Sequence, residues 1–333
     1  MDMRLIHYFM SVYEERSFAK AAERMHVVPS ALSMQIRNLE DELGAVVFDR
    51  TKRGVEPTVA GRRFYELCQP IARTLAFAKQ EMRDLVQGNS VSGSLRVGLP
   101  SATCQGILGE ILDEFMGLYP NVDVTVVEAY SRYVTEQVHS GYLDVALGAL
   151  PVEHSGLACR PGFQDHFALI SGQPINGPQF TPCDLSTMRE LKLIVPSERH
   201  LMGATLLDYI TRGEIAVKRV MRIDGLVATM EAIRSSDWGA VCQSIGVMQE
   251  LDRQDIFIYP IVKPKMSFDL YFVHHPRRPL TFAARCFVDI LERKFAEVIE
   301  RAGKRTSAGP ALRTDAKAQA ACRKGPRTIN QVF

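Results

Sequence analysis

Four side chains at positions 30, 33, 34 and 37 share one face of a predicted helix and could contact nucleic acid. Pro29 suits the first turn of that helix, because its missing N–H would have no partner there. The opposite stripe is apolar and contains Leu32, Ile36, Leu39 and Leu43. The presented face carries hydroxyls, a thioether and a guanidinium, from Ser30, Ser33, Met34 and Arg37. Hydroxyl and guanidinium groups bind phosphate oxygens and base edges, but an ordinary solvated helix face would look the same.

The elements beside this helix favour DNA binding over the solvated face. A first amphipathic helix is predicted over 5–13, and Ser17 can cap a short, Ala-rich second helix. After Gly44, the segment 46–55 indicates a two-stranded wing with a basic tip formed by Arg50, Lys52 and Arg53. A helix-turn-helix places its second helix in the major groove, and the cations of the wing can bind the DNA backbone or an adjacent minor groove.

A long helix follows, with Thr58 as its cap and a predicted extent of 59 to about 87. Its apolar residues alternate at spacings of three and four, and they are Phe64, Leu67, Ile71, Leu75, Ala78, Met82 and Leu85. Such a seam needs a partner helix, which a second copy of the chain can supply. Pro70 removes one backbone hydrogen bond, so a local kink is predicted there.

A polar, Gly- and Ser-rich hinge over 88–93 precedes a second folded region of about two hundred residues. Strand-like and helical segments alternate in it, starting with a strand over 95–99 and a helix over 107–119 and ending with a helix over 281–301. This alternation predicts a parallel sheet flanked by helices. After Ala302 the chain becomes basic and poor in large apolar residues, which indicates a disordered tail.

Composition limits the remaining classes of function. The chain has 333 residues with 46% hydrophobic and 23% charged residues, as expected for two or three globular domains. Neither a secretory signal nor a membrane span is recognisable, so a cytoplasmic protein without a membrane partner is expected. The seven cysteines are far apart and form no Cys-x-x-Cys pair, which predicts reduced thiols and no metal or other cofactor, with a redox-sensing pair as the alternative.

Two rival functions remain open. An enzyme is not supported, because the chain lacks the Gly-x-Ser-x-Gly, His-Glu-x-x-His and phosphate-loop motifs. A solute-binding protein for transport would share the α/β region, but it would need a signal sequence and no DNA-binding front end.

Three runs of the chain resemble the LysR-type transcriptional regulators. They are SFAKAAERM at 17–25, PSALSMQIRNLEDELG at 29–44 and VFDRT at 47–51. The match continues through 58–61 and then more loosely through 119–120 and 141–147, so the resemblance covers about the first 300 residues. Val28 and Met34 depart from the family, which commonly has a capping Ser or Thr and a basic residue at these places, so its base preference does not carry over.

The resemblance implies a specific domain organisation. Residues 1–58 would form an all-α winged helix-turn-helix and 59–88 the linker and dimerisation helix. Residues 89–302 would form a two-lobed α/β effector domain like a periplasmic binding protein, followed by the tail at 303–333. Lobe I would comprise about 93–160 and 268–302, and lobe II about 161–267.

The resemblance also implies partners and an effector site. The partners would be promoter DNA, a second or further copies in a homodimer or homotetramer, RNA polymerase, and a small-molecule effector such as a carboxylate that alters promoter binding or DNA bending. The effector would bind at Ser101, Ala102, Thr103, Ala149, Glu198, His200 and Leu226. This placement agrees with the preference of ligands for the carboxyl ends of strands. Helix capping is the alternative for Ser101 and Thr103, and a surface position is the alternative for His200.

Overall fold

The computed structural model describes residues 1–51, 54–87, 91–150, 156–251 and 253–305, without the side chains of 50, 51, 54, 73, 77, 80, 81, 83–87 and 302–305. The predicted basic tip at Lys52 and Arg53, residues 88–90 of the hinge and the tail from 306 therefore lie outside the described residues. Two compact units are present. One is Met1–Ser90 with Ser140–Tyr142, and the other is Val91–His139 with the chain from Leu143 onwards.

The N-terminal unit contains three short helices, a two-stranded ribbon and one long helix. They are α1 (Met3–Glu15), α2 (Phe18–Arg24), α3 (Pro29–Leu43), β1 (Phe48–Thr51), β2 (Gly54–Pro57) and α4 (Val59–Gln87). Each predicted helix is present, and the helix ends follow from local chemistry. Ser17 Oγ accepts a hydrogen bond from Lys20 N–H at 3.4 Å, and Gly44 ends α3 with a φ of +63°. The helices enclose a core that includes Phe9, Leu32 and Leu39.

The start of α4 packs closely against the chain that leads into the ribbon. Thr58 Oγ1 accepts a hydrogen bond from Gly61 N–H at 3.0 Å and donates one to the Val46 carbonyl at 2.7 Å. A Cβ on Gly61 would lie 2.1 Å from the carbonyl oxygen of Val47, so only glycine permits this approach. The predicted cap at Thr58 is thus confirmed, and it fixes α4 relative to the wing.

The second unit alternates strands and helices as predicted. Its strands are β3 (Ser92–Leu99), β4 (Asn121–Glu128), β5 (Val145–Gly148), β6 (Ala158–Ser171), β7 (Cys183–Asp184), β8 (Lys192–Val195), β9 (Arg219–Arg222), β10 (Gly239–Gln243), β11 (Phe257–Lys263) and β12 (Ser267–His274). Its helices are α5 (Ser101–Leu118), α6 (Ser131–Ser140), α7 (Leu201–Thr211), α8 (Leu226–Arg234), the 3₁₀ helix Ser244–Glu250 and α9 (Phe282–Arg305).

The prediction of a parallel sheet is wrong, because the sheet is mixed. The strand order is β4-β3-β5-β12-β6-β10-β8-β9, and β12 runs antiparallel to both β5 and β6. The 14-residue β6 pairs with β12 over 158–166 and with β10 and β11 over 167–171. One long strand therefore belongs to two half-sheets, each with its own hydrophobic core.

The two half-sheets define two lobes within the second unit. The first lobe contains β3, β4, β5 and β12, with α5 and α9 packed around Phe115 and Phe287. The second lobe contains β8, β9, β10 and β11, whose two faces bury separate clusters around Tyr259 and Ile170. None of the described helices is long and apolar enough to cross a membrane.

Candidate DNA-binding face and effector cleft

The face of α3 predicted to contact DNA is accessible to a partner. Pro29, Ser30, Met34 and Arg37 are exposed and Ser33 is half-buried, whereas Leu32 and Ile36 on the opposite face are buried. Arg37 forms no ion pair or hydrogen bond with the described part of the chain. Val28 is the N-cap and provides no side-chain hydrogen bond, so the first N–H groups of α3 remain open to an anion.

The wing is attached to α3 by a carboxylate that sequence reasoning missed. Glu40 on α3 accepts hydrogen bonds from Val47 N–H at 2.8 Å and Phe48 N–H at 3.3 Å through the same Oε1 atom. These bonds set the position of β1 relative to α3. Glu40 gives no sequence signal of this role, because a glutamate on a helix usually faces solvent. The backbone at position 50 lies in β1, and the side chain of Arg50 is outside the described residues.

The seam of α4 divides into a packed start and an exposed continuation. The ring of Phe64 lies 4.8 Å from that of Phe9 in a T-shaped contact, so its position is filled within the same chain. Leu67, Ile71 and Met82 are 51%, 44% and 60% exposed. Large apolar groups repeated along one helix are costly to leave in water, so the exposed part of the seam keeps its need for a partner. The side chain of Leu85 lies outside the described residues.

A cavity of about 410 Å³ lies between the two lobes of the second unit. Six of the seven predicted effector residues line it, namely Ser101, Ala102, Ala149, Glu198, His200 and Leu226. Thr103 is fully buried in the first turn of α5, its hydroxyl has no hydrogen-bond partner in the described part of the chain, and it is not among the lining residues. The apolar part of the wall includes Ile194, Val241 and Phe268.

Three helices begin at this cavity without a side-chain cap. They are α5, α7 and α8, whose first residues Ser101, Leu201 and Leu226 all line the wall. Their N-caps are Pro100, His200 and Gly225, so neither Ser101 nor His200 makes a side-chain capping bond. Uncapped N–H groups and the positive ends of the helix dipoles favour an anion in such a place.

Two polar groups in the wall are free to bind a ligand, and sequence reasoning missed the first of them, Gln243. The Nε2 atom of Gln243 is buried and has no hydrogen-bond acceptor among the described residues. Arg199 is exposed at the cavity and forms no ion pair with the described residues. By contrast, Arg132 is paired with Glu136 at 3.3 Å. Gln243 therefore offers an amide donor and Arg199 a positive charge.

Asp224 organises the lobe II side of the cavity. Its carboxylate accepts hydrogen bonds from Ser197 N–H at 2.7 Å and Ser197 Oγ at 3.1 Å, and His200 Nε2 lies 3.2 Å from it. The backbone hydrogen bond from Ser197 is the main cause that lowers the pKa of Asp224. Tyr130 donates a hydrogen bond to the main-chain oxygen of Asp224 at 2.6 Å. Sequence reasoning missed Tyr130, which lies after β4 and shows no motif.

Burial disfavours the thiolate form of four cysteines in this unit. Burial raises the pKa of Cys104, Cys183 and Cys242 to about 12, and it also raises the pKa of Cys159. A raised pKa disfavours the thiolate, which is the reactive form.

Comparison with known proteins identifies both units. A model of the LysR substrate binding domain matches residues 88–296, and a model of the bacterial regulatory helix-turn-helix protein of the lysR family matches residues 3–62. The chain belongs to the LysR family. It is a DNA-binding transcription regulator with an effector-binding domain, as its sequence resemblance implied.

Relatives and solved structures agree with this assignment. The hydrogen peroxide-inducible genes activator of Dickeya chrysanthemi is 26% identical over 280 residues, which are 84% of this chain and 91% of that protein. A full-length OxyR variant from Pseudomonas aeruginosa has a TM-score of 0.64 at 20% identity and covers 87% of this chain and 94% of its own. CbnR, solved with its target DNA, has a TM-score of 0.60 at 21% identity, and the match covers 88% of this chain and 100% of the CbnR chain. These two structures share the LysR fold with this chain.

Proposed function

We propose that this LysR regulator binds promoter DNA in the cytoplasm as a homodimer or homotetramer and responds to a small, largely apolar anion in the cleft. The observation that carries the proposal is the cavity of about 410 Å³ at which three uncapped helices begin. Effector binding would change promoter binding or DNA bending and thereby act on RNA polymerase. The relatives are transcription regulators and give no support for an enzymatic activity.

The DNA contacts would come from α3 and the wing. Ser30, Ser33 and Arg37 would reach base edges or phosphates from the exposed face, while the uncapped start of α3 would receive a phosphate. Pro29 and Met34 would contact the sugar or base surface beside them. Arg50, Lys52 and Arg53 would bind the backbone or minor groove next to the recognition site. The bond of Glu40 to the start of β1 supports this geometry, because it holds the wing against the same helix.

The effector chemistry follows from the wall of the cavity. Ile194, Val241, Leu226 and Phe268 form an apolar surface, so the body of the ligand would be hydrocarbon or aromatic. Its acceptor group would face the Gln243 amide and the N–H groups of the helix starts. A carboxylate suits all of these donors, and Arg199 supplies the balancing charge. The hydroxyl of Ser101, at the first position of α5, would add a hydrogen bond.

Four of the seven thiols are poorly suited to sensing peroxide, the oxidant for which the Dickeya relative is named. A peroxide sensor requires an exposed thiol of low pKa near a second cysteine. Burial raises the pKa of Cys68 to about 11 and of Cys104, Cys183 and Cys242 to about 12. Reversible ligand binding in the cleft therefore fits the residues better than thiol oxidation.

Footprinting on the DNA upstream of the gene that encodes this chain tests the proposal. The purified full-length protein should protect this DNA, and at least one member of a panel of small aliphatic and aromatic carboxylates should change the protected boundaries. Arg199→Gln should keep the footprint but lose the response, since Arg199 is on the cavity wall. Arg212→Gln is the matched control, because Arg212 caps the opposite end of α7. A footprint that no acid alters, or an Arg199 variant with a normal response, would contradict the proposed site.

A further inference from the structure

We propose that Tyr130, His200 and Asp224 form a latch across the mouth of the cleft, and that this latch controls how often the two lobes part. The proposal deepens the proposed function, because the latch would regulate access to the same effector site. Tyr130 lies between β4 and α6 in lobe I, whereas His200 and Asp224 follow β8 and β9 in lobe II. The three residues line one cavity although they come from different half-sheets.

Two contacts of different kinds join Tyr130 to lobe II. Its hydroxyl donates to the main-chain oxygen of Asp224 at 2.6 Å, which is a short hydrogen bond for an O–H donor. Its ring meets the imidazole of His200 edge to face, with ring centroids 3.5 Å apart and an interplanar angle of 81°. A residue that merely faced solvent at the mouth would make neither contact.

The lobe II side of the latch is held together by contacts that do not involve Tyr130. The Asp224 carboxylate accepts two hydrogen bonds from Ser197 and lies against His200, which is only 6% exposed. The chain before α7 and the chain before α8 are thereby held together. Tyr130 thus binds a preformed acceptor, which lowers the entropy lost when the latch closes.

Cys242 provides a native probe of opening, because it lines the cavity yet is only 3% exposed. A reagent in solution can alkylate it only when the lobes part or when lobe II unfolds. Cys183 separates these two events, since it is fully buried in the core of lobe II and does not line the cavity. Both thiols are buried in the folded protein, so neither should be labelled without an opening event.

The test is the rate of iodoacetamide labelling of Cys242 in the full-length protein without added effector, measured by peptide mass spectrometry. Tyr130→Phe keeps the ring and removes only the hydroxyl. Loss of one hydrogen bond of ordinary net strength should raise the opening equilibrium, and hence the labelling rate, by about 2- to 13-fold. Tyr133→Phe is the matched control, because Tyr133 is exposed on the neighbouring α6.

The expected result is faster labelling of Cys242 in Tyr130→Phe, with Cys183 and the Tyr133→Phe variant unchanged. An unchanged Cys242 rate in Tyr130→Phe would refute the latch. Equal acceleration of Cys183 and Cys242 would also refute it, because the variant would then loosen lobe II as a whole. If Cys242 responds as expected while no carboxylate changes the footprint, the latch stands and the proposed effector class fails.

Discussion

Two glycines in α5 should respond in opposite directions to the same added methyl group. A Cβ on Gly106 would lie 1.9 Å from the carbonyl oxygen of Ile245, which belongs to the 3₁₀ helix Ser244–Glu250. Gln249 Nε2 also donates to the Gly106 carbonyl at 2.9 Å, so the two helices are joined at this point. A Cβ on Gly109, one turn later, would meet no atom within 4 Å.

The magnitudes follow from the balance of packing and helix propensity. Replacing glycine by alanine in a helix stabilises it by about 0.5–1 kcal/mol, and Gly109→Ala should gain this amount. Gly106→Ala gains it too but overpacks the contact at a cost of about 1–3 kcal/mol, and the opposing atom is backbone that cannot rotate away. We expect the overpacking to win, with a net loss of up to about 2.5 kcal/mol.

Urea denaturation of the full-length variants measures both changes, and the cleft gives a second readout. Gly106 lies one turn from Ala102, which lines the cavity. A Cβ on Gly246 of the 3₁₀ helix would lie 3.0 Å from the Cβ of Ala102. The packing of α5 on the 3₁₀ helix therefore also positions the start of α5 at the cavity. Gly106→Ala should therefore also weaken the response to an active carboxylate, while Gly109→Ala should not. A Gly106→Ala protein as stable as the wild type would show that α5 and the 3₁₀ helix can separate without cost.

Three further predictions concern DNA binding, assembly and pH. Neutralising the three basic residues of 50–53 should flatten the log–log salt dependence of DNA affinity by about 0.9 per lost phosphate contact, and an unchanged slope would contradict the role of the wing. Aspartate at Ile71 and Leu75 should yield monomers in sedimentation, because it puts charge into the exposed seam; a dimer with normal DNA binding would place the subunit contact elsewhere. Burial raises the pKa of Asp165 from 3.8 to about 7. Between these two values the folded chain keeps a proton that the unfolded chain releases. The free energy of unfolding should therefore fall as the pH rises from 3.8 to about 7. The midpoint of urea denaturation, measured against pH, should vary less in Asp165→Asn than in the wild type. The exposed control Asp269→Asn should keep the wild-type profile. An equally steep profile in Asp165→Asn would show that another group causes the pH dependence.

Much of the fold could be predicted because local signals and tertiary structure agree. The long helix Val59–Gln87 has the predicted bounds, and the helix predicted over 5–13 lies within Met3–Glu15, since each is a continuous amphipathic segment. The first half of β6 could not be found this way. Its residues 158–166 include Arg160, Pro161 and Gly162, which disfavour a strand, and pairing with β12 overrides them.

The candidate cleft could be predicted only where a residue follows a strand or begins a helix. Ser101, Ala149 and Leu226 hold such positions, so topology alone brings them to the cavity. Thr103 was expected beside them, yet the rotation of the helix turns it into the protein, where it is fully buried. Neither Tyr130 nor Gln243 belongs to a local sequence pattern. Tyr130 matters because it donates a hydrogen bond to the other lobe, and Gln243 because its buried amide has no acceptor among the described residues.

The hydrogen bond of Tyr130 can shift the equilibrium between open and closed lobes only by a limited factor. Moving the lobes from 1% to 99% closed requires a bias of about 10⁴, whereas the hydrogen bond of Tyr130 supplies about 2- to 13-fold. The hydrogen bond of Tyr130 therefore supplies only a small part of such a bias. Asp165 sits in β6 where its pairing changes from β12 to β10, and it accepts hydrogen bonds from His166 N–H at 2.8 Å and from Ile245 N–H at 3.2 Å in the 3₁₀ helix. An effector held between the α5 start and the Gln243 amide would touch both lobes, so it would bind the closed arrangement more tightly and could supply such a bias.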